Sequence, residues 1–156
     1  MTERNADIIQ SEIDYNIRLC TLHARCYRRV RAVLSFCSLA GGSAAMAGIL
    51  SAQHDWAIAA GVTLALIPIL DNVINPGDKS AAHEQLRRRY VELRQQLMRR
   101  QIDAAAADTQ LHGLYAEQPD EIEGLRKAAQ NDADLQRGLD PANKLSIWER
   151  VCHIFA

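Results

Sequence analysis

Charged residues stop at Arg31 and return at Asp71, with Asp55 alone in between. Two apolar runs fill that gap. Ala32 to Ala52 (AVLSFCSLAGGSAAMAGILSA) is 21 residues without a charge. Trp56 to Ile74 (WAIAAGVTLALIPILDNVI) is 19 residues, with Asp71 and Asn72 in its last turn. At about 1.5 Å per residue, roughly 20 helical residues cross the ~30 Å hydrocarbon core of a bilayer. A helix in a soluble bundle keeps a polar side for water, and such a side is missing from both runs. Gln53, His54 and Asp55 are too short a link for anything but an antiparallel pair. The pattern therefore predicts two transmembrane helices, at about 32–52 and 56–74, joined as a membrane hairpin.

On either side the period changes to that of half-buried helices. Ile8, Ile9, Ile13, Ile17 and Leu22, extended by Tyr15 and Leu19, repeat at roughly helical spacing over Asn5–Arg31. No Gly or Pro precedes Gly41, so this helix is expected to run unbroken into the first span. After the second span, Asn75-Pro76-Gly77-Asp78 predicts a turn. Ser80 is then expected to cap a helix reaching about Ala107, with Leu86, Tyr90, Leu93 and Leu97 on its apolar face. The fold class expected is all-α: a hairpin and stem over residues 1–107, and a helical tail over 108–156. In the tail, Pro119 with Asp120 and Glu121 opens an acidic helix through Leu135, and Gly138 and Pro141 punctuate it. The amphipathic end, Leu145–Phe155, has three candidate places: the stem, the membrane surface or a neighbouring subunit. The stem is the simplest.

Charge sets the orientation. Arg25, Arg28, Arg29 and Arg31 precede the first span; Lys79, Arg87, Arg88 and Arg89 follow the second; the link has no Lys or Arg. Basic loops stay inside, which places both termini and the soluble helices in the cytoplasm and the link outside. A cleavable signal peptide is a poor reading, because about 31 residues precede the apolar run and a second span follows it. The whole-chain charge of −1 argues against a nucleic-acid partner. Cys20, Cys26, Cys37 and Cys152 are too few for a secreted disulfide scaffold and read as free thiols.

Candidate chemistry is sparse. There is no phosphate loop, nucleophile elbow or zinc-protease motif, so neither an enzyme nor a cofactor is expected. Cys20, His23 and Cys26 fan over about 120° of one helix and lack the turn-borne fourth ligand of a structural zinc site, so no metal is expected. His83 is expected to pack structurally against the N-terminal helix, with titration near neutral pH as the lesser reading. Gly41, Ala45 and Gly48, with Ala44, provide small-xxx-small spacing for close helix contact in lipid. That contact serves the hairpin or self-association; Ala59, Ala60, Gly61 and Ala65 offer a matching face. Pro68 is expected to bend the second span. Asp71 is the polar group nearest any conduction path, and otherwise a boundary residue. Arg87, Arg88 and Arg89 form either a solvated face or a site for lipid headgroups or a partner.

A cytoplasmic helix, two spans with a tiny link, and then SAAHEQLRRRYVELRQQL resembles the SLATT family of bacterial two-span effector domains from nucleotide-sensing conflict systems. The resembling region is roughly Asp14 to Arg100, with Ala82-His83 followed by Leu86, Arg89, Tyr90, Leu93 and Arg94 as the local match. The resemblance implies an antiphage effector in the inner membrane that self-assembles into a homo-oligomer and breaches the bilayer. It further implies a nucleotide-signal-producing or sensor protein encoded nearby. The rival functions are a membrane anchor or adaptor recruiting a cytoplasmic partner, and a holin-like lysis protein.

Overall fold

The structure, a computed structural model, describes residues 5–50 and 54–156. It is all-helical among the described residues. The chain divides into two compact units, Met1–Cys26 with Lys79–Ala156, and Tyr27–Asp78. One helix, α1 (Ala6–Leu50, 45 residues), contributes to both. As the absence of Gly and Pro before Gly41 predicts, it is unbroken. The hairpin continues with α2 (His54–Ile74), and α3 spans Pro76–Met98. Smaller helices follow: α4 (Ala104–Ala116), α5 (Arg126–Gln136) and α6 (Ile147–Phe155).

In the first unit α1 is buried on two stripes. Ile9, Ile13 and Cys20 pack with Leu86, Tyr90 and Leu93 of α3 and with Ala107, Leu111 and Leu114 of α4. Leu19, Leu22 and Cys26 pack with Leu125, Ala128 and Ala129 and with Cys152 and Ala156. The apolar residues that read as one stripe therefore split between two cores. Ile8 belongs to neither and stays half exposed. The tail is thus the second wall around α1 and not an appendage. Each fully buried Leu or Ile contributes about 1.5–3 kcal/mol, so α1 depends on both walls.

Helix boundaries depart from the expected ones for identifiable reasons. The turn expected over residues 75–78 contracts to Asn75 alone, at φ 46°, and α3 starts at Pro76. Proline suits a first helical position, where its missing N–H is not needed. The Asn75 side-chain amide donates to Asp78 (2.7 Å) across this start. Ser80 is not a cap; inside the helix, its hydroxyl donates to the Ala24 carbonyl of α1 (3.0 Å). α3 stops at Met98 and does not reach Ala107. Arg100 turns left-handed (φ 54°), its N–H bonds the Leu97 carbonyl, and Gln101 N–H bonds Gln96 O. This double C-terminal bond pattern usually carries Gly, and Arg at that position hides it from a sequence reading. Asp103 then caps α4 through the Ala106 N–H (2.8 Å).

The acidic helix expected from Pro119 also begins late. Ile122 is extended, Glu123–Leu125 forms one 3-10 turn, and α5 starts at Arg126. The Ile122 N–H is taken by the His23 imidazole (2.7 Å), a tertiary bond incompatible with helix at that point. At its other end α5 closes on Gly138, at φ 76°. Buried Asn131 then clamps the following loop, donating to Asn143 O (2.8 Å) and accepting from Asn143 N (3.0 Å). That clamp delivers α6, whose start carries a full capping box between Ser146 and Glu149.

Two substitutions test this packing. A Cβ on Gly124 would lie 3.0 Å from Cys152 Sγ and 3.2 Å from Trp148 Nε1. Gly124→Ala should therefore loosen α6 and cost about 1–3 kcal/mol in denaturant titration. The Tyr90 hydroxyl is buried without a hydrogen-bond partner among the described residues. Tyr90→Phe should leave stability unchanged or raise it by about 1 kcal/mol, and a clear loss would show that the hydroxyl is satisfied.

Candidate functional site

The second unit is the apolar hairpin of α1 and α2. The apolar windows on its two helices have mean hydropathies of 1.4 and 1.7, with 0 % and 6 % of each buried within the chain. Large side chains stand outward: Phe36 is 70 % exposed, Leu39 74 % and Val73 75 %. The inward stripe of α2 follows i, i+4, i+7. Ala60 and Leu64 face α1, and Ile67 is buried.

The glycine readings divide here. A Cβ on Gly41 would meet Leu64 Cδ2 and Cγ at 3.4 Å and the Ala60 carbonyl at 4.0 Å, so Gly41 lies at the contact within the hairpin. Gly48 is buried, while the side chain of Ala45 lies outside the described residues, as does link residue Gln53. Of the face expected on α2, Ala60 alone turns to α1. Ala59, Gly61 and Ala65 point outward, because the inner stripe runs through residues 60, 64 and 67.

Asp71 continues that stripe one turn beyond Ile67. It lines a notch of about 330 Å³ with Pro68 and Ile67 on one wall and Leu34, Ser35, Ser38 and Leu39 on the other. The arrangement sets one carboxylate and two hydroxyls on an otherwise apolar groove. Pro68 adds polarity, because it has no N–H for the carbonyl one turn earlier. Two further hydroxyls in the hairpin are committed locally: Ser43 donates to Leu39 O (3.0 Å) and Thr63 to Ala59 O (2.9 Å). Such bonds satisfy a hydroxyl where water is absent. Ser35 and Ser38, legible in the sequence only as mild polarity in a span, join Asp71 through the antiparallel register.

The arginine run lies in the first unit and is engaged by acids. Arg87 binds Glu84 (2.5 Å), Arg88 approaches the same carboxylate at 4.0 Å, and Arg89 pairs with Glu117. Arg88 keeps 72 % of its side chain exposed, the most of the three.

The His–Cys constellation resolves into packing. Cys20 belongs to one core and Cys26 to the other. Burial pushes the Cys20 thiol up to about 12. His23 donates from Nδ1 to Leu19 O (2.8 Å) and accepts the Ile122 N–H at Nε2. Both nitrogens are thus used within the protein and the ring is held neutral. His83 stacks on it, with centroids 4.6 Å apart at 19°. Sequence spacing could not show this pairing, because 60 residues and the whole hairpin separate the two rings.

Burial lowers the His23 pKa below its ordinary 6.5. Burial first, and the adjacent His23 ring second, bring His83 down to about 4. Glu121 opposes both shifts, while Arg126 adds to that of His23 and Lys79 to that of His83. Both rings are neutral when folded and protonate first in the unfolded chain. The contribution of these two rings to stability is therefore fully present above pH 6.5 and is lost as pH falls below it, for His83 down to about 4. Thermal midpoints measured from pH 7.5 to 4.5 should drop, and His83→Phe, which keeps the stack, should flatten that drop. An identical profile in the variant would rule out this source.

No family model, curated protein or solved structure matches this chain significantly.

Proposed function

We propose that this chain is a membrane protein, its hairpin spanning a bacterial inner membrane and its soluble helices and both termini in the cytoplasm. The observation that carries this reading is the exposure of the hairpin. A soluble protein buries its apolar helices, whereas these windows are 0 % and 6 % buried. In water each large apolar side chain left exposed forgoes about 1.5–3 kcal/mol; in lipid that loss disappears. Arg28, Arg29 and Arg31 before the first span, with a link that carries no Lys or Arg, support the inside placement of the flanks.

Within that setting the chain acts as a non-enzymatic effector that self-associates and breaches the membrane, as the SLATT resemblance implies. The notch of Ser35, Ser38 and Asp71 supports it, since an ionisable group among apolar helices is costly unless it is used. Gly41 and Gly48 keep the helices close. Arg88 is the arginine of its run best placed for headgroups or a partner. A signal-producing protein encoded nearby would supply the trigger. The second reading is a membrane anchor. It draws on the first unit, which has two cores of its own and could serve as a displayed cytoplasmic module.

Membrane potential separates the two. Bacteria expressing the wild type, with its neighbouring genes and an infecting phage, should depolarise. A Gly41→Leu, Gly48→Leu double variant at matched membrane levels should not, because Leu at Gly41 drives into Leu64 where Ala would fit. Single Gly41→Ala should behave as wild type. If the potential stays intact in the wild type under these conditions, the anchor replaces the effector. Extraction of the chain by alkaline carbonate would remove both readings.

A further inference from the structure

Helix α6 is amphipathic twice over. Its inner side is fixed to the first unit. Cys152 and Ala156 enter the core with Leu19, Leu22 and Cys26. Glu149 binds Lys127 (3.0 Å), and His153 lies 3.3 Å from Asp132, the carboxylate that also holds Arg18 at 2.6 Å. Docking on the stem, the simplest expectation for this segment, is therefore satisfied by that side alone. The opposite side is also apolar. Ile147 is 83 % exposed, Trp148 67 %, Val151 51 % and Ile154 78 %. At 100° per residue these side chains, with Phe155, fall within about a third of the helix circumference. The first unit leaves this stripe uncovered.

The charges around the stripe identify what suits it. Arg150 borders it on the helix wheel, and Lys144 precedes the cap; both are exposed. The acid of α6, Glu149, is turned inward and neutralised by Lys127 and the Ser146 N–H. Near the stripe, Glu123 is matched by Arg126 (3.7 Å). The stripe thus combines aliphatic bulk, an indole and basic flanks, the composition of a helix lying in a headgroup layer. The indole edge rests on Gly124, so the ring is held with most of its surface outward.

We propose that α6 is an interfacial helix, its stripe of Ile147, Trp148, Val151, Ile154 and Phe155 inserting into the surface of an anionic bilayer while its other side stays docked. This rests on insertion of the hairpin. It adds a second contact between the first unit and the membrane, made by the outer side of α6 while Cys152, His153 and Glu149 keep the inner side docked.

The test uses the full chain with Trp56→Phe, which leaves Trp148 as the only tryptophan. It is reconstituted in phosphatidylcholine vesicles with and without phosphatidylglycerol, and insertion is verified separately by resistance to alkaline extraction. Lipids brominated near the headgroup should quench Trp148 by roughly twofold in the anionic vesicles, and Arg150→Glu should reduce that quenching. If the inserted chain shows Trp148 open to aqueous iodide and untouched by bromolipid, α6 does not meet the membrane. If neither quencher reaches it and Ile154→Cys forms a disulfide between copies, the stripe is a subunit contact and the proposal fails. A chain that extracts at alkaline pH refutes the hairpin reading instead.

Discussion

The apolar surface of the hairpin has to leave water, and the chain does not cover it. Phe36, Leu39, Met46, Ile58, Ile69 and Val73 are each more than half exposed. At about 1.5–3 kcal/mol per side chain, six such residues already match the ~5–15 kcal/mol by which a domain is usually stable. Left in water, that load would rival the stability of a whole domain. The polar details of the hairpin follow the same constraint: Ser43 and Thr63 bond back to their own helices, and small residues at Gly41 and Ala60 let the two backbones approach.

Apart from the outer stripe of α6 and a few single side chains, the first unit buries its apolar residues, and it does so around one helix. α1 offers two adjacent stripes, one covered by α3 and α4 and the other by α5, α6 and the 3-10 turn between Glu123 and Leu125. Polar groups then fix which segment lies where. Arg94 reaches Asp14 (3.0 Å), Arg18 and His153 share Asp132, and Asn131 holds the loop at Asn143. The ion pairs among these, still partly open to water, are each worth little alone. Buried Asn131 and His23 differ, because leaving their partners unmet would cost about 1–3 kcal/mol each. They select one register for the tail.

His23 is central to that selection. Its neutral ring has one donor and one acceptor, and the fold uses both, on Leu19 O and Ile122 N. His83 stacks on the same ring. Residues that resemble fragments of a metal site are therefore packing groups, and His23 is a clamp between α1 and the segment at Ile122. Engaging the Ile122 N–H also explains why the acidic segment begins as extended chain.

Composition and periodicity alone determined the helical class, the two apolar runs and their short link. They also determined the unbroken first helix and the amphipathic end segment, because hydrophobic spacing and the absence of breakers are local properties. Helix ends were legible where a local residue type marks them and the reading used it, as at Gly138. They were hidden where a tertiary bond or an unusual residue does the work, as at Ile122 and Arg100. Tertiary structure alone decided that the stripe of α1 is two stripes. It decided that Ala60 and not Gly61 meets Gly41, and that Ser35 and Ser38 share a notch with Asp71. It also decided that Arg87 and Arg89 are occupied by acids. Each of these depends on which side of one helix meets which side of another. A period of 3.6 residues names the faces of a helix without naming their partners.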